Sequence, residues 1–136
     1  MWVRIPPKAL WYTIHMLSTT DAGRLGEAAA FKHFVGDGWY VFLDASGKSP
    51  VDMVVMKNNL CKTVQVKTTS YKVNNRWLVQ IKTVRPNRTT NKVTHFDPNS
   101  VDLLVVYIIP EDRVIVYESA TITQRTQLSI PVQDSS

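Results

Sequence analysis

Residues 49–69 read SPVDMVVMKNNLCKTVQVKTT, two apolar runs separated by Asn58-Asn59. Asparagine tolerates positive φ, and two such residues between two strand-like runs predict a tight hairpin. With Asn58 and Asn59 as the loop, Lys57 faces Leu60 and paired positions sum to 117. That register sets Asp52 across from Gln65, with Cβ atoms about 4.5–5.5 Å apart. A period of two then puts Gln65 and Lys67 on one face. Val51, Met53 and Val55, with Val64 and Val66, are left to build the core. A slip of one residue would undo the whole arrangement.

Working outward, STTDAGRLGEAAAFKHFVGDG predicts a helix. Ser18, Thr19 or Thr20 is its N-cap, Asp21 suits the dipole, and Gly36 can end it. Glu27 falls on the side of Phe31 and Phe34, which is expected to pack on a sheet. Gly23 and Gly26 beside it would admit another backbone. WYVFL (39–43) reads as a buried strand and DASGKSP (44–50) as a loop. Further strands are expected at 76–84, 101–109 and 113–117, the last two turning at Pro110-Glu111-Asp112. The segment 85–100 reads as a polar, basic connection, and residues 119–127 as a short helix. One helix followed by hairpin-linked strands argues for an α+β fold with a mixed sheet, not a doubly wound one. The expected organisation is a lead-in at 1–17, a single domain at 18–130 and a tail at 131–136.

The bulk composition narrows the function. A 136-residue chain that is 44% apolar can build a modest core, so the composition is not that of a disordered protein. No window has the roughly 18 uninterrupted apolar residues of a membrane span. Pro6 and Pro7 interrupt the N-terminal segment, which lacks a signal-peptide pattern, so an intracellular, cytoplasmic or nucleoid location is expected. A single cysteine, Cys61, excludes an internal disulfide and a cysteine-based zinc site, and is expected to be a small buried residue. The net charge of +5 makes a polyanion a candidate partner.

Asp52, Glu27, Gln65 and Lys67 together offer oxygen ligands and a cation, the set for a hard divalent ion and a phosphodiester. Each has an ordinary alternative. Asp52 can cap a strand, Glu27 can offset the helix dipole, and Gln65 and Lys67 can line a wet face. A second Val-Asp pair, at Val101-Asp102, lacks the x-Lys partner at hairpin distance.

The order GE (26–27), SPVD (49–52) and QVK (65–67) resembles the PD-(D/E)xK nuclease superfamily. The flanks RLGEAAAFKHFVGDGWYVF, VQVKTTSYK and FDPNSVDLLVVYIIPEDRVIVY extend the resemblance over roughly 20–120. They look like the small endonucleases associated with group I introns. The resemblance implies a restriction-endonuclease-like core. It also implies a site of Glu27, Asp52 and Gln65 holding Mg²⁺ (or Mn²⁺), aided by the Val66 carbonyl, with Lys67 assisting the attacking water. Two departures stand out: Val51 separates Pro50 from Asp52, and Gln65 replaces the usual acid. The implied activity is site-specific cleavage of double-stranded DNA by a homo-oligomer, dimer or tetramer, with no membrane or small-molecule cofactor. A Holliday-junction resolvase and a DNA-binding module that lost the acid at Gln65 are the alternatives. Basic and polar residues expected to contact DNA are Lys82, Arg85, Arg88 and Lys92, then Lys72, Asn74, Asn75 and Arg76, and near the motif Lys48, Ser49 and Thr68. Asn87, Thr89, Thr90 and Asn91 could read base edges.

Overall fold

The computed structural model describes residues 17–86 and 91–133. Helix α1 (Thr19–Gly36) begins as expected: the Ser18 hydroxyl accepts the Asp21 amide at 3.1 Å, and Asp37 closes the other end. Its packing seam is Gly26, Ala30 and Phe34, spaced by four. Phe31 is 42% exposed and lies off that seam, so Glu27 borders the buried face without belonging to it. Small residues at 26 and 30 let the helix settle close to the sheet, and that proximity selects the seam over the Phe31 side.

The strands of the main sheet are β1 (Tyr40–Leu43), β2 (Met53–Lys57), β3 (Leu60–Thr69), β8 (Leu103–Ile108) and β9 (Arg113–Glu118), in the order β1-β2-β3-β8-β9. The β2–β3 hairpin has the predicted register, Met53↔Val64 through Lys57↔Leu60. Both turn residues take positive φ, 51° at Asn58 and 64° at Asn59. β3 then pairs with β8 in parallel, Gln65↔Leu104 and Lys67↔Val106. All six residues of β8 are buried, because layers cover both its faces. Under α1 lie Met53, Val55, Val64, Leu103 and Val105. On the other face Leu104, Val106 and Ile108 meet Trp77, Val79, Leu128 and Ile130.

That second layer is a small sheet of β4 (Lys72–Val73), β5 (Arg76–Gln80) and β10 (Gln127–Pro131), in the order β10-β5-β4. A separate ribbon joins β6 (Thr83–Pro86) to β7 (Asn91–Thr94).

Several sequence expectations are corrected here. The strand expected at 39–43 is β1, residues 40–43, and it is an edge strand, not a buried one, with Tyr40 74% and Phe42 55% exposed. The second layer does not reach that edge. The expected strand 76–84 breaks at Ile81-Lys82, whose amides both turn to the Thr126 carbonyl (2.9 and 3.2 Å). The connection 85–100 contains β7. Residues 119–127 hold only a 3₁₀ turn, Ser119–Thr121, and the chain then enters β10. Cys61 is exposed. Val51 packs with the Trp77 layer instead of the α1 side, because β2 starts at Met53 and strict alternation does not extend to 51. The turn at Pro110-Glu111-Asp112 is present as a 3₁₀ turn with Asp112 at φ 47°. No helix among the described residues is long and apolar enough to cross a membrane.

Candidate active site

The antiparallel ladder of β2 on β3 ends at Met53, so the Val66 amide has no strand carbonyl left to meet on that side. Asp52 fills the gap. Its own N–H donates to the Val64 carbonyl at 2.8 Å, and its Oδ2 accepts the Val66 N–H at 2.7 Å. A carboxylate seated on a backbone amide at a frayed ladder end is fixed in direction, and its second oxygen remains to meet a ligand. The arrangement also explains why the chain tolerates an acid at this point. Burial pushes the Asp52 carboxyl above the usual range, while the Val66 N–H and the nearby Lys67 charge pull it back.

Lys67 is half-buried on the central strand, and burial holds its ammonium below the usual lysine range, with the Asp52 charge opposing that shift. The one ion pair within 4 Å among the described residues is elsewhere, Arg113 to Glu111 at 3.2 Å. Asp52 therefore acts on Lys67 through space, without a contact that would tie up either charge. Glu27 approaches from the border of α1. Its carboxyl is raised by partial burial and by the charge of Asp52, and Arg24 partly offsets this. Asp52 is thus the hub: it is bonded to Val66 and lies within electrostatic reach of both Glu27 and Lys67.

Gln65 shares its face of β3 with Lys67, the face turned away from α1. Its side chain lines a cavity of about 340 Å³ with Pro50, Ile81, Lys92, His95 and Asp97. Among the described residues no three His, Cys, Asp or Glu side chains gather into a ready-made metal cluster. An ion here would rely on neutral oxygens beside the acids. Asp52 and Glu27 carboxylates, the Val66 carbonyl and the Gln65 amide are all hard oxygen donors, a chemistry that fits Mg²⁺ with waters completing its shell.

Gly26 has the close approach expected of it. A Cβ there would collide with the Thr68 methyl and press on Val66 at 3.2 Å, so α1 rests directly on the strand that carries the motif. Gly23 has nothing within 4 Å and takes no part.

Asp44 is the acid that sequence reasoning missed. Its charge raises the carboxyls of both Glu27 and Asp52. Hydrogen bonds from Ser46 and Ser49 hold its own carboxyl below the usual range. The signal available was Asp-x-Ser at the start of a loop, which marks a side-chain-capped turn.

The second Val-Asp pair has a structural use. Asp102 Oδ2 accepts the Thr63 N–H at 2.8 Å and its N–H donates to Thr63 Oγ1 at 2.9 Å, stapling β8 to β3.

The residues expected to touch DNA are scattered. Lys48 and Ser49 are on the loop before Asp52, and Thr68 is under α1. Asn74 and Asn75 form the β4–β5 turn with φ of 50° and 62°. Arg76 is engaged with Ser129, Nε to Oγ at 2.6 Å and an Nη to the carbonyl at 3.0 Å. Lys72 lies 5.7 Å from the Trp77 ring centre. Trp77 itself is core, its Nε1 donating to Glu111 at 2.8 Å. Lys82 is half-buried and Lys92 exposed, and the Arg85 backbone pairs with Lys92 across the ribbon. Asn87, Arg88, Thr89 and Thr90 lie outside the described residues, as does the lead-in through Met16.

The sequence profile of the PD-(D/E)XK endonuclease family matches residues 17–135. Among solved structures, a bacterial homing endonuclease, I-Ssp6803I, superposes with a TM-score of 0.78 at 21% identity, covering 88% of this chain and 82% of the other. At that identity the likeness shows the fold. No curated protein matches the chain.

Proposed function

Because the chain belongs to the PD-(D/E)XK endonuclease family, we propose that it hydrolyses phosphodiester bonds of double-stranded DNA at a specific site, as a homing endonuclease. Mg²⁺ is the proposed ion, with Mn²⁺ able to replace it. The observation that carries this reading is the Asp52 carboxylate fixed on the Val66 amide, with half-buried Lys67 one residue further along β3.

Asp52, Glu27, Gln65 and the Val66 carbonyl would hold the ion. When bound, it supplies Lewis acidity toward the scissile phosphate and acidifies a water. The protein does the rest. Asp52, pinned at one oxygen, presents the other in a constant direction. Lys67 is less costly to deprotonate than a solvated lysine, so its amine can hold or pass the proton of the attacking water. As an ammonium it offsets charge building on the phosphate. Gln65 contributes an oxygen without charge, so two formal negatives face the substrate from the motif positions. A cut through both strands calls for two such sites, which we assign to a symmetric assembly of this chain.

The test is cleavage of plasmid DNA with and without Mg²⁺, alongside Lys67→Ala. The expected outcome is metal-dependent cutting by the wild type and a loss of at least about 10²-fold in the variant, the scale of a removed proton-transfer group. Wild-type protein that binds DNA yet fails to cut whichever divalent ion is supplied would leave a non-catalytic DNA-binding module. Faster cutting of four-way junctions than of linear duplex would make it a resolvase.

A further inference from the structure

The loop 44–51 leads directly into Asp52, and its hydrogen bonds trace back to one side chain. Asp44 Oδ1 accepts the Ser46 N–H at 2.9 Å and the Ser46 hydroxyl at 2.7 Å. Oδ2 accepts the Ser49 N–H at 3.0 Å. The two serines so ordered accept in turn: Ser46 Oγ from the Lys48 N–H at 3.3 Å, and Ser49 Oγ from the Val51 N–H at 3.0 Å. Gly47, at φ +67°, provides the reversal that lets the chain wrap around a single carboxylate. Pro50 has no amide to satisfy. The Asp44 N–H then closes the unit by donating to the Asp52 carbonyl at 3.2 Å.

From this geometry we infer that Asp44 is a positioning residue of the active site. It clasps loop 44–51 and fixes the backbone from which Asp52 reaches Val66, and it holds Lys48 and Ser49 where the substrate strand would pass. The clasp has no evident need as a fold element. The Asp44 carboxylate packs no core side chain, only Val51 at the loop's end joins the core, and β1 already pairs with β2 through Leu43↔Met53 without the clasp. Its reach is limited to the approach to Asp52. The nearby negative charge matches the site's shortage of acids, since Gln65 brings none.

The inference rests on the nuclease reading, and the experiment separates the two. Asp44→Ala and Asp44→Asn are compared with wild type in two measurements. The first is amide hydrogen exchange on the metal-free protein. Asp44→Ala should speed exchange at Ser46, Ser49 and Val51 while β8 stays protected. The second is single-turnover cleavage with saturating enzyme in excess over DNA. The rate should fall about 10–100-fold, as misplacement of a reacting group does, with little change in the enzyme concentration for half-maximal rate. Asparagine keeps the oxygen that faces Ser46 and should recover part of both losses. Unchanged exchange at 46–51, or an Asp44→Ala variant that cuts as fast as an active wild type, would overturn the proposal. If the wild type does not cut, the nuclease reading fails, and exchange alone then decides whether Asp44 holds the loop.

Discussion

Asp52 in the metal-free protein works against stability. Burial raises its carboxyl above the ordinary 3.8, and Glu27 beside it is raised as well from 4.5. A carboxyl whose pKa is higher folded than unfolded prefers its proton in the native state. Its contribution is complete below the ordinary pKa and is lost as pH rises through the raised one. At neutral pH the ionised pair is therefore a cost that a divalent cation would relieve. Asp52→Asn keeps an oxygen for the Val66 amide and removes the charge. In chelator, thermal melts at neutral pH should place this variant above wild type, with a flatter dependence on pH above the ordinary carboxyl range. Mg²⁺ should then raise wild type and leave the variant in place. A variant that melts lower without metal would mean that the charged Val66 bond outweighs the burial. Turn chemistry made the β2–β3 register legible, and period two put Gln65 and Lys67 on one face, but the ladder stops at Met53↔Val64, one pair short of the expected Asp52↔Gln65. Asp44 was not legible, since a loop acid bonded to serines has the composition of any polar turn, and only the folded loop puts it near Asp52.

At the scale of elements, the motif depends on how closely α1 lies on β3. Alanine ordinarily beats glycine inside a helix by about 0.5–1 kcal/mol. At Gly26 the balance reverses, because the new Cβ runs into the stiff, β-branched Thr68. Overpacking of this kind costs about 1–3 kcal/mol, so Gly26→Ala should be destabilising on balance. Thr68→Ser removes the methyl that is struck, and the double variant should regain most of the stability in a denaturant-melt cycle. Additive effects of the two changes would mean that the clash is not the cause. The helix and the central hairpin were readable from caps, spacing and Asn58-Asn59. The seam was not, because choosing Gly26, Ala30 and Phe34 over the Phe31 side requires knowing which face touches β3. β10 escaped for a related reason. It buries only Leu128 and Ile130, alternating with polar residues, and its partner β5 is some fifty positions away. The edge character of β1 was equally hidden, since the sequence of an apolar strand does not say how far a second layer extends over it.

The whole molecule joins an acidic site to an otherwise basic chain, and this division of charge suits cutting DNA. Asp52 just before β2, Glu27 on α1 and Lys67 in the middle of β3 make up that site, while the β6–β7 ribbon carries Arg85 and Lys92 on paired positions, with Arg88 between its strands in sequence. A two-stranded ribbon has a width that a DNA major groove admits. Lys92 also lines the cavity that holds the Gln65 side chain, which links the ribbon spatially to the motif strand. Phosphates engaged by these three cations would release counterions, and the slope of log K against log salt measures how many. Replacing Arg85, Arg88 and Lys92 together by alanine should flatten that slope by about 0.9 for each phosphate no longer neutralised. Lys32, exposed on α1 and away from the ribbon in the chain, is the control, and Lys32→Ala should leave the slope unchanged. The affinity of the triple variant should fall most at low salt and converge on wild type as salt rises, since screening removes the same attraction from both. A triple variant with the wild-type slope would take the ribbon out of the interface. The +5 charge would then act through the loop at Lys48 and the β4–β5 hairpin instead.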